Sequence, residues 1–156
     1  MRTAIPAVLC GLLLAVPSCS AVSCTAIAAL PGLSITLAGG PAAVTERLEV
    51  SVCTDDGCSA TGVDLAPGST TTEETCTPDG TCSAVSTPDG TLIGFAELDL
   101  PEREVRADVT VHQRDGRTDS YTATVDPAMV HPNGEYCDGG AIQGRLVLDD
   151  TGLRSG

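Results

Sequence analysis

Downstream of residue 24, the chain alternates between apolar and polar residues with a period of two. Alternation of this kind puts every second side chain on one face of an extended strand, so it predicts half-buried β-strands. No helical pattern of useful length follows the N-terminal segment. Six segments carry the alternation: 33–37 (LSITL), 47–53 (RLEVSVC), 92–100 (LIGFAELDL), 105–111 (VRADVTV), 121–125 (YTATV) and 142–148 (IQGRLVL).

Turn signals separate these segments, and the clearest hairpin is predicted at Asp115-Gly116, between two strongly alternating runs. The other signals are AGGP at 38–41, DDG at 55–57, PDG at 78–80 and 88–90, and HPNG at 131–134. Six or seven short strands joined in this way predict an all-β fold, an antiparallel β-sandwich, with an open β-barrel as the alternative. The polar, turn-rich segment 66–90 is expected to be a long surface excursion.

The N-terminus is typical of a signal peptide. Arg2 precedes an uncharged apolar run from Ala4 to Val16, and small residues follow. The run is shorter than the roughly 20 apolar residues that a membrane-spanning helix needs. We therefore expect a signal peptide at 1–18 and a single β domain at 19–156, with its core within 24–149.

Two cysteines follow the apolar run, and either could carry the lipid of a bacterial lipoprotein. Cys24 has the better local pattern, AVSC, whereas Cys19 is preceded by VPS, and Pro17 departs from the usual small or β-branched residue. Two acyl chains on such a cysteine would give stable membrane anchoring. Simple secretion, by cleavage after Ser18 or Ala21, is the alternative.

The number of cysteines favours Cys19 over Cys24 as the lipidated residue. Cys10 would be lost with the signal peptide, and lipid on Cys19 would leave six cysteines that can pair completely, as expected in an exported chain. The short loops CTDDGC and CTPDGTC each bracket an Asp-Gly turn, which favours hairpin disulfides. Sequence alone leaves other connectivities open. The pairs expected are Cys53–Cys58, Cys76–Cys82 and, by elimination, Cys24–Cys137.

Candidate chemistry is sparse, and we expect no catalytic residue, no cofactor and no metal site. A zinc site on the four cysteines of the short loops is disfavoured because structural zinc usually draws on closer spacing or on added histidines. His112 should lie on the solvated face of its strand, with Gln113 turned inward, and His131 lies in a turn. The Asp-Gly turns do not spell a calcium loop. The carboxylate pairs Asp55-Asp56, Glu73-Glu74 and Asp149-Asp150 resemble solvated surface groups.

Composition excludes nucleic acid as a partner. The formal net charge is −13, and all eight basic residues are arginines, so phosphate backbones would be repelled. The chain has no Trp, one Phe and two Tyr, and therefore lacks the aromatic surface on which single-stranded bases stack.

Three stretches, SCSAVSCTAIAALPGLSITL, LEVSVCTDDGC and HPNGEYCDGGAIQGRLVLDDTG, together resemble small uncharacterised predicted lipoproteins of high-GC Gram-positive bacteria. The resemblance covers most of the chain after the signal, and its motifs are largely structural. It implies that Cys19 is lipidated and that Cys24 is the first disulfide cysteine. It implies a cellular location and no reaction.

The sequence therefore predicts a lipid-anchored β domain at the outer face of the cell membrane. Its role is expected to be structural or binding, with an envelope protein or a small ligand as partner. The alternative is a freely secreted hydrolase or an inhibitor-like binding protein, for which a histidine should lie in a cleft beside a carboxylate.

Overall fold

The computed structural model describes residues 24–156, so the predicted signal peptide at 1–18, Cys10 and Cys19 lie outside the described residues. The all-β class is confirmed. The elements are β1 (Gly32–Leu37), α1 (Gly39–Val44), β2 (Thr45–Thr54), β3 (Gly57–Val63), β4 (Leu65–Cys76), β5 (Cys82–Glu97), β6 (Val105–Gln113), β7 (Thr118–Val125), β8 (Ala128–Val130), β9 (Ala141–Asp149) and β10 (Gly152–Ser155). Nowhere in 24–156 is there a helix of the length and apolarity needed to cross a membrane.

The strands form two sheets that pack as a sandwich. The large sheet has the order β10-β9-β1-β5-β4, with β8 added beside β9, and the small sheet has the order β3-β2-β6-β7. The predicted sandwich is therefore confirmed. One pairing departs from the antiparallel prediction, because β1 and β9 run parallel at the centre of the large sheet. Parallel neighbours need a long connection, and here most of the chain lies between them.

The core lies between the two sheets and is built from the inward positions of the predicted alternation. β1 contributes Leu33, Ile35 and Leu37, all of them almost completely buried. The aliphatic side chains that meet them from the other strands include Leu48, Val50, Val52, Val105, Ala107, Val109, Val111, Leu146 and Leu148. Because successive strand residues point to opposite faces, the polar positions between these residues lie on the outer faces of the sheets.

The segment 66–90, expected to be a long surface excursion, is largely exposed and forms regular strands. Most of it belongs to β4 and β5, which pair as one long hairpin. We call residues 69–91 the ribbon arm. The first PDG, at 78–80, forms the tip, where the amide of Gly80 donates to the carbonyl of Thr77. The second, at 88–90, was predicted as a turn and instead lies within β5, where the register shifts opposite Gly68.

Besides β4, four elements lie outside the six alternating segments: α1, β3, β8 and β10. Residues 39–44 form a six-residue helix where AGGP at 38–41 predicted a turn, and this helix is too short to show a helical period. The strand β10 extends the folded core beyond the predicted limit at residue 149. Leu153 of β10 pairs with Leu148 and packs against the core.

Candidate functional site

The first and last parts of the described chain are joined at one end of the sandwich by the Cys24–Cys137 disulfide, whose Cα atoms are 5.7 Å apart. Around it, the amide of Ala29 donates to the carbonyl of Gly139 at 2.8 Å, and the side chain of Asn133 donates to the carbonyls of Thr25 and Ile27. We call this region, residues 24–31 and 128–140, the Cys24 end.

The other two disulfides join directly opposed residues of hairpins, as the Asp-Gly loops predicted. Cys53 faces Cys58 across β2 and β3, and Cys76 faces Cys82 across β4 and β5. The Cα separation is 4.0 Å in both pairs, slightly below the spacing of about 4.5 Å at the closer opposed positions of an antiparallel ladder. All three predicted pairings are present.

These pairings also bear on the zinc site that the cysteine spacing disfavoured. Glu74, Cys76 and Cys82 bring three donor atoms within 4.8 Å of one another at the tip of the ribbon arm. Zinc binds cysteine as a thiolate, and both sulfurs are already bonded to each other. Only the exposed Glu74 carboxylate remains, so this group does not make a metal site.

The aspartates of the turns are used within the turns themselves. The Asp89 carboxylate accepts hydrogen bonds from the amide and hydroxyl of Thr91, and these lower its pKa. Asp115 accepts from the amide and guanidinium of Arg117, and the backbone hydrogen bond is the main cause of its lowered pKa. The Asp-Gly signals therefore have a structural explanation.

The three carboxylate pairs do not form acid and base couples. Asp55 is paired with Arg103 at 2.7 Å. The Asp149 carboxylate accepts from the hydroxyl and amide of Thr151 and from Arg154, and this set lowers its pKa to about 2. The neighbouring Asp150 accepts from the amide of Gly40 at 3.0 Å. Glu73 and Glu74 lie exposed on the ribbon arm.

The two histidines lie in different settings. His131 is exposed in a turn closed by the amide of Gly134, as predicted. Gln113 is buried, as the alternation predicted, and His112 lies on the outer face of the small sheet. There its Nδ1 is 3.4 Å from the Thr118 hydroxyl, and its Nε2 is 3.5 Å from a Glu49 carboxylate oxygen.

The setting of His112 meets part of the requirement stated for a hydrolase. The His112 side chain lines a surface cavity of about 430 Å³ with Arg47 and Arg117, and it lies beside the Glu49 carboxylate. However, catalytic threonines usually stand at a chain N-terminus and use their own α-amine as base. Thr118 lies within the chain, where its nitrogen is part of a peptide bond. Thr118 is also the direct cross-strand neighbour of His112, so their proximity follows from the register alone.

The strongest candidate for a binding site was missed by the sequence reasoning and lies on the outer face of the large sheet. Ile93 and Phe95 of β5 project there and form its apolar floor with Ala66 of β4. Ser34 and Thr36 of β1 and Arg145 of β9 line the remaining sides, and the cavity volume is about 480 Å³. We call this the outer groove.

A signal for the outer groove was present in LIGFAELDL. Its core-facing residues, such as Ala96, alternate with Ile93 and Phe95, so this segment is apolar on both faces. The only phenylalanine of the chain therefore lies outside the core. Arg145, at the edge of the groove, makes no ion pair with any described residue.

The ribbon arm rises directly from the outer groove, because β4 and β5 supply both. Residues 69–90 are exposed on both faces of the arm. Its charged residues are all acidic, at Glu73, Glu74, Asp79 and Asp89. A two-stranded ribbon is marginally stable alone in water, so the Cys76–Cys82 disulfide is important for keeping its shape.

The arm points away from the Cys24 end. β5 runs antiparallel to β1, with Glu97 opposite Gly32 and Leu92 opposite Leu37. Residues that precede Leu92 therefore continue past the end of β1, in the direction in which β1 runs. The Cys24 end precedes β1 and lies at the opposite end of the sandwich.

Comparisons with known proteins identify no relative for this arrangement. No protein-family model, no curated protein and no solved structure matches the chain.

Proposed function

We propose that this chain is an exported lipoprotein domain, held at the outer face of the cell membrane by lipid on Cys19, with a binding role and no enzymatic one. The carrying observation is the bond between Cys24 and Cys137. Lipid attachment needs a thiol, and the Cys24 sulfur is already used. The pairing of all six cysteines of residues 24–156 supports Cys19, and the resemblance to predicted lipoproteins supports the same residue.

The binding surface in this proposal is the outer groove together with the ribbon arm. With lipid on Cys19, the Cys24 end faces the membrane, and the arm extends outward from the opposite end of the domain. Ten residues of β5, from 82 to 91, span about 33 Å at the usual rise of an extended strand. A protein of the envelope that offers an apolar side chain to the groove and basic or amide groups to the acidic arm fits this surface.

Intact-mass analysis of the mature protein from its native membrane tests the anchor. We expect an N-terminal Cys19 that carries a diacylglyceryl group, and we expect Cys19→Ser to abolish lipid attachment. The matched variant Cys24→Ser should remain lipidated, because in this proposal Cys24 has only a disulfide role. An unmodified N-terminus beyond residue 19, or lipid on Cys24, would contradict the proposal.

Photo-crosslinking in the native envelope tests the binding surface. A photoreactive residue in place of Thr71, on the ribbon arm, should give a defined protein adduct. The same residue in place of Thr110, on the outer face of the small sheet, serves as the control. Adding Ile93→Asp should remove the Thr71 adduct, because it places a charge in the apolar floor of the groove. Equal adducts from both positions, or no effect of Ile93→Asp, would exclude this surface.

A freely secreted hydrolase is the second candidate, and the position of His112 between Thr118 and Glu49 is the observation that favours it. In that case His112→Gln and Glu49→Gln should both abolish hydrolysis of a small activated ester, whereas His131→Gln should not. We expect no hydrolysis above background from the unsubstituted protein.

A further inference from the structure

Exposed large apolar side chains are concentrated at the Cys24 end. Across residues 24–156, seven large hydrophobic side chains are exposed, and four of them belong to this end of the sandwich: Ile27, Leu30, Met129 and Tyr136. Tyr136 is 87% exposed and Ile27 is 61% exposed. Apolar groups gathered in one region of a surface commonly mark a site of contact with a protein or a membrane.

The segments that carry these side chains are held to the sandwich. Tyr136 is next to Cys137, whose disulfide fixes residue 24 beside it. The Gln143 side chain donates to the carbonyl of Leu30 at 2.7 Å, and Met129 pairs with Ile142 at the edge of the large sheet. The exposed side chains are therefore presented by an ordered surface.

We infer that the Cys24 end lies against the lipid bilayer, with these four side chains in the interfacial layer. The inference rests on the proposed lipid anchor at Cys19. Only Ser20 to Ser23 separate Cys19 from Cys24, and an extended chain covers at most about 3.6 Å per residue. The Cα atom of Cys24 then lies within about 18 Å of the anchored residue.

The chemistry of this surface suits the membrane interface. Tyr side chains are enriched where hydrocarbon meets water, because the ring is apolar and the hydroxyl keeps its hydrogen bonds to water or headgroups. Glu135 and Asp138 lie on either side of Tyr136 in the sequence, and the chain carries a net charge of −13. Anionic headgroups would repel such a surface, so apolar contact and the lipid anchor must hold it there.

Tyrosine fluorescence offers a direct measurement, because the chain has two tyrosines and no tryptophan. Tyr121 lies on β7 and packs against the core, whereas Tyr136 is exposed at the Cys24 end. For this measurement, residues 19–156 with all three disulfides formed are coupled through the free Cys19 thiol to a maleimide lipid. The carrier vesicles are phosphatidylcholine containing a lipid with a nitroxide near its headgroup. Without vesicles, the same protein gives the unquenched reference.

Quenching of Tyr136 is the expected result. The difference between the unsubstituted protein and Tyr136→Phe isolates this residue, and we expect at least half of that difference to be lost on the nitroxide vesicles. The double variant Ile27→Ser with Leu30→Ser should at least halve the quenching, because it removes apolar contact near Tyr136. The matched control Val85→Ser, an exposed apolar position on the ribbon arm, should leave the quenching unchanged.

A Tyr136 signal that is quenched no more than that of Tyr121 would overturn the inference, as would quenching that is insensitive to the double variant. Chemical coupling bypasses cellular lipidation, so this result concerns only the membrane contact. The intact-mass experiment on the native protein separately decides whether Cys19 carries lipid.

Discussion

The Cys24–Cys137 disulfide closes most of the chain into one loop, and removing it should cost far more stability than removing either hairpin disulfide. The sequence separation is 113 residues for this bond, against 5 for Cys53–Cys58 and 6 for Cys76–Cys82. Asn133 also holds the Cys24 end through its hydrogen bonds to residues 25 and 27, and strand pairing holds both hairpins, so we expect the variants to fold. The main difference lies in the freedom gained by the unfolded chain.

The chain-entropy relation gives the expected size of this difference. A loop set by the separation of 113 residues contributes about 4.8 kcal/mol to the free energy of unfolding. The hairpin loops contribute about 2 kcal/mol each by the same relation. The double variant Cys24→Ala with Cys137→Ala should therefore lose about 2.5 to 3 kcal/mol more than Cys53→Ala with Cys58→Ala. Alanine is chosen because Cys137 is buried, and a serine hydroxyl at that position would lose its hydrogen bonds to water.

Urea unfolding at 25 °C, followed by far-ultraviolet circular dichroism, measures these free energies. The Cys24/Cys137 variant should also show a steeper dependence on urea, because its unfolded chain is less compact and exposes more surface. Cys76→Ala with Cys82→Ala is the second control and should behave like the Cys53/Cys58 variant. Equal losses in all three variants, within about 1 kcal/mol, would refute the loop-closure reasoning.

Other predictions concern backbone geometry, core packing and pH. Gly32→Ala should lower the free energy of unfolding by about 1–3 kcal/mol or more, because φ is +146° there and a Cβ atom would lie 2.0 Å from the carbonyl oxygen of Ala96. At Gly62 a Cβ atom would meet open space, so Gly62→Ala should change the free energy of unfolding by less than about 1 kcal/mol. In urea unfolding, Leu146→Ala should lose about 2–5 kcal/mol, and Ile93→Ala, 46% exposed in the outer groove, clearly less. The Asp149 carboxyl has its pKa lowered from 3.8 to about 2, so its stabilising effect is present above its ordinary pKa and is lost as pH falls towards 2. Asp149→Asn should therefore reduce the drop in thermal midpoint between about pH 5 and about pH 2; an unchanged drop would contradict this account.

Local sequence features predicted six of the strands (β1, β2, the end of β5, β6, β7 and β9) and both hairpin disulfides, because these depend on neighbouring residues. The alternation in β1, β2, β6 and β9 follows directly from one buried and one solvated face. Cys53 and Cys58 flank a tight turn, so the turn alone brings them together. The ribbon arm was harder to predict, since strands exposed on both faces have no apolar alternation to reveal them.

The outer groove could not be located from sequence, because its lining residues come from four strands that are distant along the chain. Ser34 meets Phe95 on one side and Arg145 on the other only through the register of β1 with β5 and β9. The apolar character of both faces of LIGFAELDL was visible, but neither face could be assigned to solvent before the neighbouring strands were known.

Residue type and short spacing were enough to predict the fold class, the hairpins at Asp56, Asp79 and Asp115, and the acidic, aromatic-poor character of the chain. Three features could be read only from the folded chain: β1 lies parallel to β9, the ribbon arm extends away from the Cys24 end, and Phe95 is outside the core. These features depend on which strands are neighbours, and that choice is made by packing two whole sheets against each other over long sequence separations.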